Sequence, residues 1–267
     1  MTLSSTRFHR LHSPPATTRD PIGPRLASES RDAINETCLP PGENGVATAG
    51  LESLFAWPRR LARRDTLCRA GDPFSALHMV RAGSLKCIAL VDDGREQITG
   101  YAMTGDIVGL EGLGLAIHSC DVVALEDSEV STLPLMRLDE VTRDPAMLQA
   151  VFQRMAGDLH RSRNLTVVLG SMRAKERVAI FLLDLAERHR LRGYSATELV
   201  LRMTREEIAS FLGLTLETVS RVFSRLQAEG LIQAQGRALR ILDNARLHEL
   251  GGYPRDSLVA ADRQPLT

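Results

Sequence analysis

The sequence predicts an α+β protein in three parts: an N-terminal antiparallel β-roll of jelly-roll type, a long dimerisation helix and a C-terminal winged helix-turn-helix. Three observations carry that expectation. Short β-prone runs recur at roughly ten-residue intervals between Arg64 and Leu138, with Gly or Asp at the joints, which is how the strands of a small barrel or jelly roll are punctuated. A seam then repeats at alternating four- and three-residue steps from Leu148 to Leu169, the heptad spacing that aligns one helix with another. Finally, two short amphipathic patterns meet at Gly213, and the second carries groups that hydrogen-bond base edges.

A chain of 267 residues, 43% hydrophobic, has room for two compact domains plus tails. Its 33 basic residues balance 33 acidic ones, and residues 173–267 hold 15 basic against 12 acidic. A nucleic-acid surface must therefore come from where charges are placed and not from net charge. No run of 18 apolar residues is present, and residues 1–19 lack the apolar stretch of a secretory signal, so the chain is expected to be cytoplasmic with no membrane contact.

Taken in order, residues 1–50 are rich in Ser, Thr, Pro, Arg and Gly without apolar periodicity, and are expected to form a disordered or loosely docked arm. Residues 51–144 are expected to form the β-roll domain. Leu51 to Leu61 reads as a short amphipathic helix closing one side of it, with Leu51, Leu54, Phe55 and Leu61 inward. The strand-forming runs follow: TLCRAGD, ALHMVRAG, SLKCIALVDDG, EQITGYAMTGD and DVVALEDSEVSTLP, with Asp93-Gly94 as a hairpin turn. Residues 145–171 are the long helix, opened by Asp144-Pro145. Its seam is Leu148, Phe152, Met155, Leu159, Ser162, Thr166 and Leu169, which predicts a homodimer, with Gly170-Ser171 as the hinge.

Residues 172–251 are expected to bind DNA, and 252–267 to be a tail. ERVAIFLLDLAERH buries Val178, Phe181, Leu182 and Leu185, and Leu199 to Met203 is a short β run. Thr204 is an N-cap with Glu207 as its capping-box partner, and Ile208, Ala209 and Leu212 face inward up to the C-cap Gly213. Thr215 caps the next helix, whose Val219, Val222, Phe223 and Leu226 form an apolar stripe. That leaves Glu217, Thr218, Ser220, Arg221 and Ser224 outside, where Arg suits guanine O6 and N7 and Glu accepts from cytosine N4. LIQAQGRALRIL turns at Gly236-Arg237 as the wing, with Arg237 and Arg240 placed to meet phosphates.

The pattern Glu217-x-x-Ser220-Arg221 resembles the recognition helix of the FNR branch of the CRP/FNR superfamily of bacterial transcription regulators. The resemblance extends to ERVAIFLLDLAER (176–188), the wing and GREQITGYAMTGDIVG (94–109), and covers about Arg64 to Gly251. It implies a β-roll like that of cyclic-nucleotide-binding domains, and a homodimer on a TTGAT-N4-ATCAA palindrome of double-stranded DNA. Thr215, Glu217, Thr218, Ser220, Arg221 and Arg237 would face that DNA. Arg221 would read guanine, Glu217 the cytosine of the complementary strand, and Ser220 a thymine methyl. Asp93, Gly94 and Arg95 would match a surface that family members offer to RNA polymerase, which points to activation.

The resemblance also frames the cofactors. Redox-sensing members of the branch hold an iron–sulfur cluster with three closely spaced N-terminal cysteines and a fourth in the effector domain. Here Cys38 matches the last of the three, but the positions nine and six before it are Glu29 and Asp32, and the fourth place is Ser131. One thiolate in four does not hold such a cluster. Cyclic-nucleotide binders present an Arg-Ser pair for the phosphate; this chain has His118-Ser119, without the fixed guanidinium, so cyclic AMP is not expected either. Cys68, Cys87 and Cys120 read as small core or edge residues, since no C-x-x-C spacing is present. A regulator gated by redox or by a small effector other than cyclic AMP is the second reading. A cupin-like enzyme, the third, would need a convergent His/Glu metal set that seven scattered histidines do not supply.

Overall fold

The computed structural model describes residues 51–91 and 94–252. The expectations for the arm, with Glu29, Asp32 and Cys38, for Asp93, and for the tail beyond Gly252 lie outside the described residues. The β-roll contains β1 (Ala56–Leu61), β2 (Thr66–Cys68), β3 (Ala76–Ala82), β4 (Ser84–Leu90), β5 (Glu96–Met103), β6 (Ile107–Val108), β7 (Asp121–Ala124) and β8 (Ser128–Pro134). They form two four-stranded antiparallel sheets, ordered β1-β8-β3-β6 and β2-β7-β4-β5. Between them lies a core that includes Leu61, Val80, Leu85, Val122 and Val130. The β3–β4 turn needs Gly83: its φ is +88°, and a Cβ there would meet Ser128 Oγ at 2.2 Å.

The expected helix over Leu51 to Leu61 is corrected. Residues 51–54 form a helical turn, but Ala56–Leu61 is a strand paired with β8, with Arg59 opposite Val130 and Leu61 opposite Ser128. Pro58 denies the helix an interior hydrogen bond, and Trp57 sits at φ +48°, so pairing with β8 wins. The inward set is nonetheless Leu51, Leu54, Phe55 and Leu61.

After α1 (Gly112–Leu115) and α2 (Leu138–Arg143), α3 runs Pro145–Ser171. Asp144 caps it, its carboxylate accepting from the Ala146 and Met147 N–H groups at 2.9 and 3.3 Å. Twenty-seven residues make a rod ~40 Å long. One face buries Ala150, Val151 and Val168 within the protomer. The helix ends at Ser171, at the expected Gly170-Ser171 junction: Ser171 Oγ donates to Val167 O at 2.7 Å, and Met172 follows in extended geometry.

The C-terminal part comprises α4 (Ala174–Arg190), β9 (Glu198–Val200), α5 (Arg205–Leu212), α6 (Leu216–Ala228), β10 (Ile232–Gln235), β11 (Ala238–Ile241) and α7 (Asn244–Gly251). The small sheet is ordered β10-β11-β9. Its core gathers Val178, Leu182, Ile208, Leu212, Val219 and Leu226, all buried. Sequence reading did not separate out α7, which is capped by Asp243 and anchored by the fully buried Leu247.

Candidate nucleic-acid interface

The interface is built on the angle between α5 and α6. Thr204 caps α5: its Oγ1 accepts from Glu207 N–H at 3.1 Å, while Glu207 Oε2 accepts from Thr204 N–H at 2.7 Å. Gly213 ends the helix at φ +60°, a left-handed conformation that glycine adopts without strain. Thr215 Oγ1 accepts from Thr218 N–H at 3.2 Å and starts α6. Beneath α6, Val219, Val222, Phe223 and Leu226 are buried, and the Arg205 guanidinium stacks 3.5 Å from the Phe223 ring centroid.

The opposite face of α6 presents Glu217, Ser220, Arg221 and Ser224 to solvent. Thr218 differs: it is half-buried, and its hydroxyl lies 2.9 Å from Thr215 Oγ1, so both threonines are engaged in the cap. Glu217 and Arg221 are four residues apart, yet among the described residues neither makes an ion pair. Both charges stay available to a partner. The wing turns through Gly236 at φ +58°, with Arg237 exposed at the tip. Arg240 is instead paired with Glu198 at 2.5 Å. Gly94 and Arg95 lie exposed at the β4–β5 turn.

Several residues that position this unit were not singled out from the sequence. Arg177 reaches three carbonyls, those of Leu169, Met172 and Leu212, at 2.8–2.9 Å, tying the end of α3 and the linker to the end of α5. The helix-turn-helix also rests on the β-roll. Lys86 Nζ pairs with Glu207 at 2.8 Å, Tyr101 Oη donates to Glu207 O at 3.0 Å, and Gln97 Nε2 donates to Ser210 O. Tyr101, Phe181 and Phe211 form a ring cluster with centroids 5.0–6.3 Å apart. Beside it, Asp106 accepts from Arg188 and Arg192, each at 2.5 Å. Burial works against the Asp106 carboxylate, but the two guanidiniums prevail and hold its pKa below the ordinary value. The contacts between the β-roll and the C-terminal part join residues 80 or more positions apart, so no local motif announces them.

The effector positions are equally specific. Ser131 is 5% exposed, and its hydroxyl accepts from Arg81 Nε at 3.0 Å; Arg81 also donates to the Glu52 and Phe55 carbonyls. His118 is buried edge-on to Phe74, with Nδ1 3.9 Å from Glu111 Oε1. Among the described residues no group of three or more His, Cys, Asp or Glu is arranged to hold a metal ion, and no helix is long and apolar enough to cross a membrane.

A β-roll, a long helix with an apolar seam and a winged helix-turn-helix with free polar groups on its outer helix together define a DNA-binding transcription regulator. Residues 176–250 match the Crp-like helix-turn-helix domain, and residues 58–144 match the cyclic nucleotide-binding domain. The chain is 42% identical to the transcriptional regulatory protein btr of Bordetella pertussis, over 88% of this chain and 97% of that one. It is 32% identical to the fumarate and nitrate reduction regulatory protein of Escherichia coli, over 84% of this chain and 90% of that one. Among solved structures, FixK2 from Bradyrhizobium japonicum superposes with a TM-score of 0.68 at 30% identity, covering 73% of this chain and 96% of its own. The chain belongs to the CRP/FNR superfamily of transcription regulators. Its relatives include proteins named as a transcriptional regulatory protein and a transcriptional activator protein.

Proposed function

We propose that two copies of this chain pair along α3 in the cytoplasm and bind a TTGAT-N4-ATCAA palindrome, activating transcription through RNA polymerase. The observation that carries this reading is the outer face of α6, where Glu217, Ser220 and Arg221 are exposed together and neither charge is spent within the described residues. Arg221 takes guanine O6 and N7 as a bidentate donor, Glu217 accepts from a cytosine N4, and Ser220 packs by a thymine methyl. The Thr215 and Thr218 hydroxyls set the start of the helix, and Arg237 at the wing tip meets a phosphate. The seam supplies the two-fold axis: Phe152, Met155 and Leu159 are 58%, 37% and 52% exposed in the protomer, an apolar stripe a second copy covers. Leu148 and Leu169 flank it half-buried, and Ser162 and Thr166 extend it without charge. The exposed Gly94 and Arg95, with Asp93 beside them in sequence, are the contact offered to polymerase. Relatives whose names make them activators, among them FnrA of Stutzerimonas stutzeri, at 36% identity over 84% of this chain and 93% of that one, support the direction of control.

Arg221→Ala should cost ~1–3 kcal/mol at the palindrome and flatten the preference for guanine. Gel-shift titration on the palindrome and on a guanine-substituted copy measures both; equal losses on the two DNAs would assign Arg221 to a phosphate instead.

The regulator works without an iron–sulfur cluster or cyclic AMP in this reading. The place of the fourth thiolate is a buried serine hydroxyl held by Arg81, and the place of the phosphate-binding arginine is a buried histidine against Phe74; neither fits its group. DNA affinity should then be alike in aerobic and anaerobic preparations, with Cys38→Ser nearly silent. A brown anaerobic sample with about four irons per protomer that loses DNA binding in air would overturn this.

A further inference from the structure

Two recognition helices meet a palindrome together only if each is held at a set distance and angle from the two-fold axis. Along the backbone, α3 passes into the DNA-binding part through Met172 and Arg173, both extended, with ψ 147° and 159°. Arg177 clasps the carbonyls at that joint, which anchors one end of the unit. A body held at one joint can still turn about it. A second attachment, from strands β4 and β5 of the β-roll, stops that turn. Lys86 Nζ meets Glu207 Oε1 at 2.8 Å, the Tyr101 hydroxyl donates to Glu207 O at 3.0 Å, and the Ile98 N–H donates to Ser210 Oγ at 3.0 Å. Because β5 is the outer strand of its sheet, α5 takes up a backbone donor that no neighbouring strand can reach. The Lys86 and Glu207 side chains are 19% and 20% exposed, so water and salt screen this pair less than one on the open surface. Two further struts flank it: Arg202 pairs with Glu126 of the β7–β8 turn at 2.9 Å, and Arg188 donates to Tyr101 O at 2.9 Å. Contacts spread over α4, α5 and the loop before α5 fix orientation as well as position.

We infer that this β4–β5 face sets the spacing of the palindrome: it holds α5 so that the two α6 helices match half-sites four base pairs apart and reject shorter and longer spacers. The inference rests on the dimer and palindrome proposed above. One base pair added to or taken from the spacer shifts the half-sites by ~3.4 Å and turns them by ~34° about the duplex axis. Shared between two protomers, that asks each helix-turn-helix to move by ~1.7 Å and ~17° relative to α3. Contacts of 2.8–3.0 Å do not survive such a displacement, since a hydrogen bond is lost by about 3.6 Å. A wrong spacer is therefore met only by breaking the attachment to the β-roll, whereas the right one keeps it. Lys86 and Tyr101 act through α5 as positioning residues and make no DNA contact themselves.

The test uses the full chain in fluorescence-anisotropy titrations on palindromes with three, four and five base pairs between the half-sites, and on a duplex with one half-site. The parent should favour the four-base-pair spacer over the other two. Lys86→Met should narrow that preference by roughly tenfold and Tyr101→Phe by roughly fivefold, the fold-changes of one charge-assisted and one neutral hydrogen bond. Half-site affinity should stay unchanged in both, and Lys86→Arg, which keeps a cation opposite Glu207, should retain the parent's preference. Variants that discriminate between spacers as the parent does would overturn the inference. So would affinities that fall alike on every spacer and on the single half-site, which is what a merely loosened fold gives. A parent that prefers the half-site but is indifferent to spacer length would overturn this inference alone; a parent that binds the half-site no better than unrelated DNA would overturn the reading of α6 as well.

Discussion

Removing the charge of Asp106 is the sharpest probe of how the DNA-binding unit is held. Asp106 is 7% exposed and Arg188 9%, so both charges sit where water solvates them poorly. The carboxylate accepts from Met103 N–H at 2.9 Å and from the Arg188 and Arg192 guanidiniums at 2.5 Å each. Asp106→Asn keeps the shape but strands two cations, and its amide N–H groups must face guanidinium N–H groups. Breaking a buried pair from one side costs ~3–5 kcal/mol. Arg188 keeps the Tyr101 carbonyl, and Arg192 keeps those of Thr104 and Arg188, which places the cost near the lower end. At ~2–4 °C per kcal/mol for a unit of this size, melting should fall by about 6–12 °C. Because the folded Asp106 pKa is depressed, its contribution is complete above the ordinary carboxylate range and is lost only as pH falls through the depressed value. Thermal unfolding near neutral pH, read by fluorescence and calorimetry, measures the loss. Asp106→Leu combined with Arg188→Met should recover most of it, since a packed apolar pair leaves one fewer buried charge. An Asn variant that melts within about 1 °C of the parent would refute the reasoning, because it would mean that water reaches the cluster and screens it.

Two further outcomes follow from other parts of the molecule. Leu159→Glu should set two carboxylates against each other across the α3 seam and yield monomers with no hold on a palindrome; sedimentation velocity reads this, and an intact dimer would move the interface off α3. His78 lies beside Thr132 Oγ1 at 3.1 Å, and burial, then His118 and Arg59, lower its pKa from 6.5 to about 4. The unfolded chain therefore takes up this proton first, and stability should fall as pH drops from about 6.5 toward about 4, by ~2 kcal/mol between about pH 7 and about pH 5. Urea midpoints of the parent and His78→Phe at the two pH values give the difference; an identical pH slope in both would place His78 in contact with water.

Sequence alone determined whatever local chemistry determines. The Thr204/Glu207 capping box, the Gly213 turn, the Thr215 cap and the two-residue wing turn are set by residues within a few positions of one another, and each was legible before any coordinates. So was the apolar seam of α3, because helical periodicity divides its faces: Phe152 and Leu159 outward, Val151 and Val168 inward. The β-roll was legible as punctuation, in glycines and aspartates at the strand joints. What the tertiary structure decided depends on partners distant in the chain. Ala56–Leu61 carries an apolar set that serves a helix or a strand equally; Pro58 and the free edge of β8 choose the strand. No spacing foretells that Glu207 meets Lys86 or that Asp106 clasps Arg188 and Arg192. Those contacts exist because antiparallel pairing sets remote residues side by side, and because burial makes each unpaired charge or polar group costly until a partner from elsewhere in the chain meets it.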